Sequence, residues 1–241
     1  MSALLEVRAV SKRFRGLLAV NQVSFDVPEG GITALIGPNG AGKTTLFNVA
    51  AGVYAPDAGS VTFAGRRLDG LRPDQVCRAG VARTFQIVKP FHGLSVAENV
   101  TVGALHRHAR MAEAGGRAEE LLRALGLWAK RSIPAASLTL PERKRLEVAR
   151  ALATEPRLLL LDEAMAGLRP TETDQMVALF RGLNERTGLT ILLIEHVMRA
   201  VMALARDVVV LNHGEVICQG APQQVVRDPA VLECYLGEEA L

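Results

Sequence analysis

The sequence predicts an α/β fold: a mostly parallel sheet with helices on both faces, an N-terminal antiparallel β-subdomain and an inserted helical subdomain. Three observations carry this. Short apolar runs at Ile32 to Ile36, Leu158 to Leu161 and Leu189 to Ile194 suit strands buried on both faces. Segments with helical spacing alternate with the strands. From about Lys89 to Leu138, β-branched runs become few and helical spacing takes over.

From the N-terminus, Leu4 to Val10 and Val20 to Val27 read as strands, the second ending at Pro28. Glu29-Gly30-Gly31 is a turn signal. Pro56 to Ser60 is a second turn, followed by a strand at Val61 to Ala64. Pro73 to Arg78 reads as a short helix and Val81 to Phe85 as a buried strand. In the helical stretch, Ser95 and Glu98 form a capping box. Arg117 to Leu125 is amphipathic, and Gly115-Gly116 reads as a linker between helices. Helices then follow at Glu142 to Thr154, Thr171 to Glu185 and Met198 to Ala205. Val208 to Leu211 and Val216 to Cys218 flank Asn212-His213-Gly214 as a hairpin. Short helices fill Pro222 to Leu236, and no internal repeat is visible.

The stretch Gly37-Pro38-Asn39-Gly40-Ala41-Gly42-Lys43-Thr44-Thr45 follows one apolar strand and precedes the apolar-periodic Leu46 to Ala51. Strand, loop and helix with the spacing G-x-x-x-x-G-K-[ST] make a phosphate cradle. Gly40 and Gly42 let the backbone curl so that several N–H groups face one anion. A helix starting near Lys43 adds its positive dipole end. Lys43 supplies a mobile charge for the outer phosphates, and the Thr44 hydroxyl suits Mg²⁺. These residues predict a nucleoside triphosphate bound with Mg²⁺. Asp162 and Glu163 end the Leu158 to Leu161 run, and ligands in such sheets lie at strand C-termini. Asp162 suits Mg²⁺, directly or through water, and Glu163 suits a water attacking the γ-phosphate. Without the glycine loop the same pair would read as a helix N-cap.

Composition bounds the partners. Of 241 residues, 49% are hydrophobic and 22% charged, which suits a packed globular chain. The net charge of +3 comes from 28 basic and 25 acidic residues, interspersed, so no basic face for nucleic acid is expected. Cys77, Cys218 and Cys234 share no repeated spacing, so neither a disulfide framework nor a metal cluster is expected. Met1 to Val10 lacks the apolar core of a signal peptide, and the apolar runs are too short to span a bilayer. Membrane association is therefore expected only through a partner. His106-Arg107-His108 reads as a solvated face, and Trp128 as packing.

The order of glycine loop, Gln86 after a strand, helical insert, Leu-Leu-Leu-Leu-Asp-Glu and a strand ending at His196 resembles the ATP-binding subunits of ABC transporters. The resemblance covers essentially the whole chain. It implies a P-loop NTPase (RecA-like) core over residues 1–88 and 150–220, a helical subdomain with a signature over 89–149, and a helical tail over 221–241. It implies ATP and Mg²⁺ as ligands. Phe14 then resembles the aromatic that stacks on adenine, Gln86 the residue that reaches Mg²⁺ and senses the membrane partner, and His196 the histidine contacting the γ-phosphate. Lys43, Glu163 and His196 would carry the chemistry. Ala166 to Pro170 looks like the loop joining two nucleotide sites. Phe14 to Val20, Arg83-Thr84-Phe85-Gln86, Ser95 to Val100, Ile194 to Met198 and Tyr235-Leu236-Gly237 are similar to ATPases of branched-chain amino-acid importers. Such importers pair two ATPase subunits, copies or homologues, against two membrane permeases. A periplasmic receptor delivers the substrate. The resemblance puts the permease contact near Gln86 to Asn99, and the chain on the cytoplasmic face of the inner membrane.

One stretch departs from the family. Its signature, Leu-Ser-Gly-Gly-Gln, contacts the γ-phosphate held by the opposite subunit; here Leu138-Thr139-Leu140-Pro141-Glu142 stands in its place. Thr139 keeps a hydroxyl and makes a capping box with Glu142. Pro141 lacks an N–H, Leu140 crowds a glycine position, and Glu142 brings a negative charge unless it folds back onto the cap. Weaker ATP closure at the site this signature completes is expected. Arg169 stands where the family carries an acidic or amide residue. Two rival readings are a soluble ATPase uncoupled from transport and a nucleotide-gated interaction module with weak hydrolysis. The first tends to need a second cassette or added arms, neither of which this sequence carries. Glu163 and His196 argue against the second.

Overall fold

The computed structural model describes residues 2–85 and 90–236. Two sheets organise them. The first is antiparallel, in the order β2-β1-β4-β5, from β1 (Ala3–Phe14), β2 (Leu17–Pro28), β4 (Ala58–Phe63) and β5 (Arg66–Arg67). The second has the order β10-β9-β3-β8-β7-β6, from β3 (Ile32–Ile36), β6 (Val81–Arg83), β7 (Leu158–Asp162), β8 (Thr190–Ile194), β9 (Asp207–Asn212) and β10 (Glu215–Gly220). Its pairings are parallel except β10 against β9. Strands β3, β7 and β8, which the three apolar runs form, are buried at every position. The α/β expectation, with its antiparallel companion sheet, holds.

Helices cover the sheets: α1 (Lys43–Ala50), α2 (Pro73–Ala79), α3 (Val96–Ala104), α4 (Met111–Ala124), α5 (Leu140–Leu152), α6 (Pro170–Thr187), α7 (Met198–Leu204), α8 (Pro222–Val225) and α9 (Pro229–Leu236). Helices α3, α4 and α5 share one apolar core through Val100, Leu122 and Leu146, all shielded from solvent. That core continues to Phe180 on α6, which is 0% exposed. Phe180→Ala is expected to destabilise the fold by about 3–5 kcal/mol, readable from the urea midpoint at unchanged m-value.

Some elements differ from the sequence reading. β1 and β2 run longer because bulges interrupt their alternation, with Ala9 at φ 46° and Gln22 at φ 49°. Gly115-Gly116 is no linker: both lie inside α4. Burial of Ala114, Ala118, Leu121 and Leu122 along that helix outweighs a glycine cost of about 1 kcal/mol each. β6 ends at Arg83, short of Phe85. His106-Arg107-His108 is not simply solvated. Arg107 Nε donates to the Thr154 carbonyl at 3.1 Å, and His108 Nε2 lies 3.1 Å from Glu155 Oε1.

The strand order positions the chemistry. β3 lies between β9 and β8, and β8 lies beside β7, all three parallel to β3. The segments leaving the C-terminal ends of β3, β8 and β7 therefore emerge side by side. Those segments carry the Gly37 loop, His196 and Glu163.

Candidate functional site

The loop after β3 leads straight into α1, whose first residue is Lys43. Two glycines make this path possible. A Cβ on Gly37 (φ 144°) would sit 2.0 Å from the Leu211 carbonyl oxygen, and one on Gly42 (φ 100°) 2.3 Å from that of Ala19. No side chain fits either place. The β9–β10 hairpin braces the loop: Gly214 N–H donates to Ala41 O at 3.1 Å, and Asn21 N–H to Gly214 O at 2.8 Å. The Lys43 side chain is buried, and its ammonium donates to the Gly37 and Pro38 carbonyls at 2.6 and 2.7 Å. The loop thus holds its own cation among inward-facing backbone groups.

A cavity of about 540 Å³ opens over this loop. Its walls bring together Phe14, residues 39–45, Glu163 and His196. Phe14 is 37% exposed and meets Tyr54 edge-on, ring centroids 5.1 Å apart, which leaves an aromatic surface at the cavity rim. Glu163 sits at φ 50°, a left-handed conformation costly for a residue with a side chain. Hydrogen bonds hold it there. Its N–H donates to Ile194 O at 3.0 Å, its carbonyl accepts from Lys144 Nζ at 2.9 Å, and its Oε1 lies 2.9 Å from His196 Nε2.

Asp162 lies behind that lining, 2% exposed. Its Oδ2 accepts from Arg83 at 2.7 Å, while its Oδ1 is buried with no hydrogen-bond partner among the described residues. An orphaned carboxylate oxygen is costly and fits a hard cation's ligand set. Thr44, exposed at the cavity wall, is the hydroxyl that fits the same cation.

Beside Glu163 and His196 is a buried charged cluster. Glu195 is 2% exposed and accepts from Met165 N–H at 2.9 Å. Burial pushes its carboxyl up to about 7, opposed by that hydrogen bond and by Lys144. Burial likewise lowers Lys144, which Glu195, Glu147 and Glu163 counteract. A native carboxyl that holds its proton above the unfolded value binds more protons than the unfolded chain from about pH 4.5 to 7. Its contribution to stability therefore falls as pH rises through that window. Glu195→Gln is expected to gain stability relative to the wild type on going from pH 5 to 8, measured by urea unfolding at each pH. An equal difference at both would refute this.

Other expected site residues lie elsewhere. Gly37 and Pro38 hold Lys43 without lining the cavity. Thr139 caps α5 away from it. Gln86 lies outside the described residues. Glu142 does fold back: its Oε2 accepts from Thr139 N–H at 3.0 Å and Thr139 Oγ1 at 2.9 Å. Its Oε1 meets Lys130 Nζ at 2.6 Å. Burial raises this carboxyl, but the Lys130 and Thr139 hydrogen bonds prevail and hold it below the usual range. Leu140 packs toward Gly167 of the Ala166 to Pro170 loop, whose added Cβ would meet it at 3.3 Å. His213 and residues 17–19 line the cavity unforeseen. Pairing of β9 with β3 brings His213 there, which no local pattern announces.

Residues 20–166 match the family model described as ABC transporter, and residues 215–240 match that of the branched-chain amino acid ATP-binding cassette transporter. Among named relatives, the high-affinity branched-chain amino acid transport ATP-binding protein LivG of Salmonella typhimurium is 41% identical over 98% of each chain. BraF of Pseudomonas aeruginosa, of the same description, is 40% identical over 98% of each. The lipopolysaccharide export system ATP-binding protein LptB of Acidithiobacillus ferridurans is 36% identical over 99% of each. A solved nucleotide-free ATP-binding cassette from an ABC transporter superposes with TM-score 0.89 at 28% identity, covering 97% of this chain and 99% of that one. No helix among the described residues is long and apolar enough to cross a membrane.

Proposed function

This chain belongs to the ABC transporter ATP-binding family, and on that premise we propose that it is the ATP-hydrolysing subunit of an importer for branched-chain or related amino acids. The observation that carries the chemistry is the cavity joining the phosphate loop, Glu163 and His196. The observation that favours amino-acid import over export is the additional match at residues 215–240.

The residues take these roles. The backbone N–H groups of residues 39–45 and the Lys43 ammonium bind the β- and γ-phosphates of ATP. Phe14 offers its ring to the adenine. Glu163 orients the attacking water and accepts its proton, and His196 holds Glu163 and meets the γ-phosphate. Thr44 and Asp162, with Gln86, would hold Mg²⁺, which supplies charge neutralisation at the phosphates. Residues 1–88 and 150–220 form the nucleotide core, 89–149 the helical part with Thr139 and its signature, and 221–241 the tail. A second ATPase subunit supplies the facing signature, and two permeases dock near residues 86–99. That arrangement seats the chain on the cytoplasmic face of the membrane.

The altered signature weakens closure at the site it completes. Its Glu142 charge is neutralised by Lys130, so the deficit lies in the missing Pro141 N–H and the Leu140 side chain. In a homodimer both sites inherit it; in a heterodimer only one does. Leu140→Gly with Pro141→Gly restores one charge-assisted donor and is expected to tighten ATP about tenfold or more in the assembled transporter. An unchanged ATP affinity and turnover would exclude the idea.

The function is tested by reconstituting the chain with its co-purifying membrane subunits in vesicles and measuring ATP-driven uptake. Leucine, isoleucine or valine should stimulate hydrolysis and enter the vesicles. Recovery of lipopolysaccharide-exporting partners instead, or hydrolysis indifferent to any permease, would overturn it.

A further inference from the structure

The geometry assigns to Arg83 the task of aiming Asp162 at the divalent cation that accompanies the nucleotide. This rests on the reading of Asp162 as a metal ligand. Arg83 is the last residue of β6, beside β7, whose last residue is Asp162. Its side chain is 10% exposed and that of Asp162 2%. One terminal guanidinium nitrogen donates to Asp162 Oδ2 at 2.7 Å, and the other terminal nitrogen donates to Asn48 Oδ1. Asn48 belongs to α1, the helix that begins Lys43-Thr44.

Arg83 therefore bridges the two elements that carry the candidate oxygen ligands, the β7 carboxylate and the α1 hydroxyl. A charge-assisted bond from a guanidinium whose second donor is anchored on Asn48 fixes where the bound oxygen, Oδ2, sits. With Oδ2 engaged, Oδ1 is the oxygen left to coordinate, and it is the buried oxygen without a partner among the described residues. Groups that hold a ligand from behind typically set metal affinity by about 10–100-fold.

Two aromatic rings also lie near the Arg83 guanidinium. The guanidinium carbon lies 5.4 Å from the Phe85 ring centroid and 6.0 Å from that of Phe47. Contacts of this kind add to its placement without neutralising its charge. Arg83 does not line the cavity described above and is a positioning residue, not a ligand.

The test measures nucleotide binding rather than turnover. The affinity of the purified chain for a fluorescent ATP analogue is compared in Mg²⁺ and in EDTA, and their ratio is the gain due to the cation. Arg83→Met should lower that gain about tenfold or more while affinity in EDTA stays as in the wild type. An unchanged gain overturns the inference. So does an equal loss in Mg²⁺ and EDTA, which would make Arg83 a packing residue. Asp162→Asn is measured alongside. If it keeps the full gain, the metal-ligand reading fails; if it loses the gain and Arg83→Met does not, only the present inference fails. Should Arg83→Met not fold, as judged by its melting curve, Arg83→Lys answers the same question. A lysine keeps the charge but cannot bridge Asn48 and Asp162 with a planar fork, so its gain must also fall, and a full gain overturns the assignment.

Discussion

Glu163→Gln is expected to lower ATP turnover about 10²–10⁴-fold, the range in which a positioned general base contributes. Binding of ATP should survive, because the variant keeps the shape of the side chain and the loop at Gly37 is untouched. The amide oxygen of the substituted side chain would also remain an acceptor for His196 Nε2, which lies 2.9 Å from the Glu163 carboxylate. The prediction is specific because Glu163 is the acid held at left-handed φ 50° on the cavity wall. Single-turnover hydrolysis and nucleotide affinity, measured on one preparation, separate the two effects. Turnover within a few-fold of the wild type would remove Glu163 from its role.

Lys43→Ala acts one step earlier, on binding. Its ammonium sits 2.6 and 2.7 Å from two carbonyls of its own loop, so the charge is already desolvated and placed. A charge-assisted hydrogen bond of this kind is worth about 1.5–3 kcal/mol, or roughly 10–100-fold in ATP affinity. The loss should be larger for ATP than for adenosine, which carries no phosphate. Equal losses for both ligands would point to a collapsed loop, and no loss would refute the phosphate role. Transport should stop in either variant for different reasons: hydrolysis in Glu163→Gln, occupancy in Lys43→Ala.

Much of this site is legible locally. The residues from Gly37 to Thr45 declare a loop by spacing alone, because only glycine tolerates the approach to Leu211 and Ala19. Leu158 to Glu163 declares itself by an apolar run ending in acids, and β7 is buried throughout. Phe14 and His196 are reached only through family likeness, since a lone aromatic and a lone histidine carry no local pattern. What escapes depends on tertiary pairing. His213 approaches the loop because β9 pairs with β3. Gly115-Gly116 misleads because burial along α4 overrides helix propensity. The fold-back of Glu142 onto Thr139 is legible as a capping box, but its ion pair with Lys130 and that of Arg83 with Asp162 depend on residues distant in sequence.

Lys144 gives the molecule a lever. It stands on α5, one turn beyond Leu140, yet its ammonium grips the carbonyl of Glu163 at 2.9 Å. Rocking α5 against the sheet must either drag the Glu163 backbone with it or break a bond to a charged donor, worth about 1.5–3 kcal/mol. Helix α5 and the backbone of Glu163 are thus tied together, so a displacement of one is felt by the other.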